Sequence, residues 1–133
     1  MRIGITGHSN LTQESVPLVA AELREELPRL GRPLVGVSCL ARGADQVFAH
    51  VVLEVGGELH VLLPAADYRA RKVRAANRAE FEDLLGRAVD VRVLPFETSN
   101  RAAYAAANEE MLAGIDALVA VWDAAPADGK GGT

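Results

Sequence analysis

The residues best suited to chemistry stand near residue 133, where Asp128-Gly-Lys-Gly-Gly-Thr133 closes a loop that begins at Asp123, directly after the apolar run Leu118–Trp122. Gly129, Gly131 and Gly132 let the backbone approach an anion closely, and the amides of such a turn, with the hydroxyl of Thr133, suit a phosphate. The helix expected to follow the turn would point its free amides at the same anion. A second candidate is the first loop, Gly7-His8-Ser9-Asn10, after the apolar stretch Arg2–Thr6. Gly7 turns the chain off its strand, and the amides and hydroxyls around His8 and Ser9 reach toward an anion at the strand end. The plainer reading is that Gly7 only makes the turn while Asn10 or Thr12 caps the next helix.

The loop Val37-Ser-Cys-Leu-Ala-Arg-Gly-Ala-Asp-Gln-Val-Phe-Ala-His50 is more distinctive. It resembles the strand-two loop of the DprA family of DNA-processing proteins, whose pattern is close to Ser-Gly-Leu-Ala-Arg-Gly-Ile-Asp followed by Ala-Ala-His. The Gly-Gly-Thr turn resembles the phosphate loop of the LOG phosphoribohydrolases, and the two together point to the SLOG superfamily of Rossmann-like nucleotide-binding proteins. The resemblance implies that Gly43 lets the helix start approach a phosphate or ribose and that Ser38 lies at the strand end. Asp45 then either accepts from ribose hydroxyls or caps the helix. Arg42 either pairs with a phosphate through its fork of donors or stands in solvent. Cys39 occupies the position of a glycine in the DprA pattern. Of the LOG pattern Pro-Gly-Gly-x-Gly-Thr-x-x-Glu, the turn keeps two of the three glycines and the threonine, and the glutamate would fall beyond Thr133.

Other polar residues carry weaker signals. Ser99 or Asn100 is a good N-cap for a helix through Tyr104, and the sharper reading sets Asn100 and Tyr104 beside the base or ribose of a ligand. Asp123 either binds ribose or caps the last loop, and Trp122 reads as core. His8, His50 and His60 fall on different elements with no ligand spacing, His50 being expected at a helix end, and no metal motif is present. Cys39, the only cysteine, permits no intrachain disulfide and reads as a small residue packed under its loop.

These loops need a sheet to hold them at one edge. Short apolar runs alternate with amphipathic stretches, as βαβ units do in sequence. Five strands are expected at Arg2–Thr6, Leu34–Ser38, Leu59–Leu63, Val91–Leu94 and Ala117–Trp122. Four helices lie between them: one opened by Thr12 and ending before Gly31, then Gly43–Val55, Ala75–Arg87 and Arg101–Gly114. Right-handed crossovers make this a Rossmann-like α/β/α sandwich with a parallel sheet in the order 3-2-1-4-5, ligands binding where the order reverses. The basic run Tyr68-Arg-Ala-Arg-Lys-Val-Arg74 is long for a connection and is expected to be a mobile flap.

The 133 residues make one domain, half hydrophobic and only 5% aromatic, so Ala, Val and Leu must build the core. A further helix and one more strand are expected beyond Thr133, or else a partner subunit covering the same face of a homo-oligomer. No apolar segment is long enough to span a bilayer, and a cytoplasmic protein is expected. The net charge of -4 disfavours nucleic acid as the main partner. The expected activity is therefore binding of a nucleotide or nucleotide-derived small molecule, as sensor or carrier, with no other cofactor implied. The alternatives are LOG-like hydrolysis of a nucleoside monophosphate and DprA-like handling of single-stranded DNA.

Overall fold

The computed structural model describes residues 1–7 and 11–121. Its elements are β1 (Arg2–Gly7), α1 (Ser15–Leu30), β2 (Val35–Ser38), α2 (Ala44–Glu54), β3 (Glu58–Leu63), α3 (Tyr68–Arg71), α4 (Ala75–Arg87), β4 (Asp90–Val93), α5 (Arg101–Gly114) and β5 (Ala117–Val121). The N-cap of α1 is Glu14 rather than Thr12, whose hydroxyl accepts from the Ser15 amide at 3.1 Å in the turn that leads into the helix. None of these helices is long and apolar enough to cross a membrane.

All five strands are parallel, so the fold is the expected Rossmann-like α/β arrangement. The order is β4-β3-β2-β1-β5 rather than 3-2-1-4-5. The first four strands step outward one after another, and the chain then returns through α5 to set β5 on the far side of β1. The order therefore reverses between β1 and β5. Central parallel strands are apolar on both faces, whereas β4 alternates valine with Asp90 and Arg92, and every residue in it is exposed. Such a strand fits the edge, not a place beside β1. β5 is the other edge, with Leu118 45% exposed.

Alternation along the strands sorts the core into two layers. On one face Ile3 and Ile5 pack against Leu23 and Leu27 of α1 and Phe48 and Val52 of α2. The same layer continues through Leu59, Val61 and Leu63 to Phe81 and Leu84 of α4. On the other face Val37 and Leu62 meet Ala107 and Met111 of α5. Burying each such aliphatic side chain stabilises the fold by about 1.5–3 kcal/mol. His50 lies within α2 rather than at its end, and its ring is 2.7 Å from Glu80 of α4.

The basic run is not a free flap. Tyr68 and Val73 are buried in the layer with Phe81, and Arg69 pairs with Glu82 of α4, so the segment is a short helix anchored at both ends.

Candidate functional site

At the carboxyl edge of the sheet, beyond β2 and β3, lies a cleft of about 420 Å³. The β2–α2 loop contributes Leu40, Ala41 and Arg42 to its wall. α3 and the turn after it contribute Tyr68, Lys72, Val73 and Arg74, α4 gives Asn77, and α5 gives Tyr104. Three cations thus line it, and no described lining residue is an acid. Two aromatic rings, Tyr68 and Tyr104, stand in the wall, and Phe81 packs behind them. Tyr68 lies 6.3 Å from Phe81 and 6.3 Å from Tyr104, the latter edge-on at 72°. Tyr68 and Phe81 are core, while Tyr104 is 39% exposed and presents its ring at the lip.

The β2–α2 loop is shaped from beneath by side chains. Leu40 adopts φ 58, a left-handed conformation that branched side chains rarely take. Both of its backbone groups are held: its amide donates to Ser38 Oγ at 2.9 Å, and its carbonyl accepts from Gln46 Nε2 at 3.2 Å. Gly43 follows at φ 85 and ψ -131, open only to glycine at little cost, and its carbonyl accepts from the Val47 amide at 3.1 Å. Arg42 stands between these two constrained residues and so enters the cleft from a fixed base.

Asp45 belongs to this support. The Ser38 hydroxyl lies 3.5 Å from Asp45 Oδ2. Burial pushes the Asp45 carboxyl up to about 6, against hydrogen bonds from the Ala41 and Cys39 amides and from Ser38 that favour its anion. Burial, reinforced by the Asp45 charge, also drives the Cys39 thiol up to about 12, so it stays protonated at neutral pH. This agrees with its packing role. The Tyr68 phenol is raised as well, first by burial and then by the charges around it.

Opposite this loop, Asp67 binds the next connection. Its Oδ1 accepts from the Ser99 hydroxyl at 2.6 Å and the Ser99 amide at 2.7 Å, which hold its pKa below the usual carboxylate range. The Ala66 amide also donates to the Phe96 carbonyl at 2.8 Å, so the loops after β3 and β4 are tied together behind Tyr104.

Of the residues singled out in the sequence, Arg42 lines the cleft, with Ser38, Gly43 and Asp45 building the loop that carries it. Asn100 is the N-cap of α5, accepting from the Ala103 amide at 2.9 Å. Gly7 is the last residue of β1, and a Cβ there would lie 2.7 Å from the Val121 carbonyl oxygen and 2.8 Å from Ala44 Cβ. Close packing accounts for this glycine. His8, Ser9, Trp122, Asp123, Gly129, Gly131, Gly132 and Thr133 lie outside the described residues. Sequence reasoning missed Lys72, Arg74 and Asn77. The signal was the basic run itself: Tyr68 and Val73 fix it to the core, which turns two of its cations inward.

No protein-family model matches the chain, and no curated protein does. Among solved structures it is similar to DNA processing protein A from Streptococcus pneumoniae, with 19% identity and a TM-score of 0.64, covering 90% of this chain and 40% of that one. It is also similar to DNA processing protein A from Helicobacter pylori, solved for its single-stranded DNA binding mode, with 18% identity and a TM-score of 0.65, covering 95% of this chain and 56% of that one. The likeness is one of fold, and the chain spans about half the length of these neighbours or less. It corrects the expectation that an acidic balance disfavours nucleic acid. A protein with this fold binds single-stranded DNA, and charge summed over a whole chain does not report the field inside one cleft.

Proposed function

We propose that this chain binds single-stranded nucleic acid in the cleft between the β2–α2 loop, α3 and α5. The observation that carries the reading is the composition of the cleft: Arg42, Lys72 and Arg74 with no acid among its described lining residues, in a chain of net charge -4. Cations gathered along a groove attract a phosphate backbone, and an exposed aromatic ring gives an unstacked base a face to lie on. Tyr104 supplies that face, and Asn77 adds an amide able to donate and accept. The single-stranded DNA binding of the Helicobacter pylori neighbour supports the same reading.

A mononucleotide is the second reading, favoured by a cleft volume typical of small-molecule sites. LOG-like hydrolysis would need a carboxylate at the sugar. Asp45, in the first turn of α2, is engaged by Ser38 and the loop amides.

Fluorescence anisotropy with a labelled oligothymidylate tests the proposal. Arg42→Ala, Lys72→Ala and Arg74→Ala should each weaken binding several-fold while leaving thermal stability near that of the parent, since all three side chains are exposed. A nucleoside monophosphate that binds as tightly as the oligomer would favour the second reading. Affinity for the oligomer unchanged in all three variants would overturn the first.

A further inference from the structure

β4 pairs with β3 alone, and no other strand among the described residues meets its outer edge. Edges of this kind are ordinarily blunted by short length, charged side chains, proline or a bulge, and β4 is four residues long with Asp90 and Arg92 in it. Here the segment reads Val89-Asp-Val-Arg-Val93, and its valines are 59, 43 and 48% exposed. The Leu94 amide donates to the Leu63 carbonyl at 3.0 Å, and Leu63 is in register with Val93. Backbone groups of Arg92 and Leu94 therefore face β3, while those of Val91 and Val93 face outward. Val91 and Val93 share a sheet face with Val61 and Leu63. Asp90 and Arg92 share the opposite face, with His60 and Leu62.

We propose that β4 is a docking edge for a second copy of this chain, pairing antiparallel with its own counterpart about a two-fold axis through Val91. The segment is its own complement. About that axis Val91 meets Val91, the Val89 side chain meets Val93 while the Val89 amide stays on the Leu59 carbonyl at 2.9 Å, and Asp90 of each copy faces Arg92 of the other. Val91 turns its amide and carbonyl outward, so the two copies exchange a closed pair of hydrogen bonds there. Asp90 and Arg92 then fall at the non-hydrogen-bonded positions, where facing side chains come closest. Glu110 already holds the Arg92 guanidinium at 2.9 Å, and Asp90 forms no ion pair among the described residues. Charge also fixes the register: an axis through Asp90 sets aspartate on aspartate, one through Arg92 sets arginine on arginine, and a one-residue slip sets valine on charge. A foreign extended strand would find the same backbone groups but has no reason to carry this mirrored charge pattern, which is why the second copy is the occupant.

Sedimentation velocity of the full chain over a concentration series tests this. The wild type should show a monomer–dimer equilibrium, and Asp90→Arg and Arg92→Asp should each raise the dimer Kd by roughly tenfold or more through like charges. An equimolar mixture of the two variants should restore the dimer, because every arginine again faces an aspartate. Val91→Lys, at an exposed position and with both charges kept, should also give monomer, and thermal melts establish that each variant is folded. The proposal fails if the wild type is monomeric throughout the series, if its dimer survives both charge reversals, or if the mixture associates no better than its components.

Discussion

Asp45 is unusual in what its surroundings do to it. Its folded pKa of about 6 stands above the ordinary 3.8 because burial outweighs the hydrogen bonds that favour the anion. The folded state therefore binds this proton more tightly than the unfolded chain does. The resulting stabilisation is fully present below about pH 4 and is lost as the pH rises to about 6, a change of up to about 3 kcal/mol. Asp45→Asn can still accept from the loop amides but never ionises. We expect the variant to melt above the wild type at pH 7 to 8, the difference developing between about pH 4 and 6 and constant beyond, as read by thermal denaturation at each pH. A second residue-scale expectation concerns Tyr104. Removing its ring in Tyr104→Ala should cost about 1–3 kcal/mol of affinity for an oligothymidylate, whereas Tyr104→Phe keeps the π-face and most of the binding, as anisotropy would show.

At the scale of elements, the cleft depends on how tightly β1, β5 and α2 converge. Gly7 is where they meet. A methyl group there would press on the Val121 carbonyl and on Ala44, the first residue of α2, and both neighbours are backbone or short side chain with little freedom to yield. Gly7→Ala should lower stability by about 1–3 kcal/mol in denaturant titration. Any effect on binding should follow from movement of α2 and of the β2–α2 loop at its start. α3 makes a related point. Four residues are too few to be stable as a helix alone, and Tyr68 and Val73 hold it against α4 so that Lys72 and Arg74 face the β2–α2 loop.

For the whole molecule, the proposed binding to a cationic cleft in a chain of net charge -4 should be sensitive to salt. If Arg42, Lys72 and Arg74 each neutralise one phosphate, a log–log plot of affinity against salt should have a slope of about -2 for a single strand, and each alanine variant should reduce it by about 0.7. A duplex of the same length should bind less well, because its bases are stacked on one another and unavailable to Tyr104.

The sequence alone determined the fold class, because the alternation of apolar runs with amphipathic stretches is a property of neighbouring residues. It also marked the β2–α2 loop, since Arg42, Gly43 and Asp45 fall within four consecutive residues after an apolar strand. The strand order was decided only in three dimensions. Val91 to Val93 reads as a strand wherever it stands; its alternation with Asp90 and Arg92 suits an edge, and the return through α5 on the opposite face sets β5 beside β1. The cleft is likewise a tertiary object: Arg42, the Lys72–Arg74 turn and Tyr104 come from three separate segments, and the cations among Tyr68–Arg74 read as a loose basic loop until Tyr68 and Val73 find the core. Asp45 showed two possible roles in sequence; in the folded loop its carboxylate meets the Ala41 and Cys39 amides and the Ser38 hydroxyl, contacts that no local pattern reports.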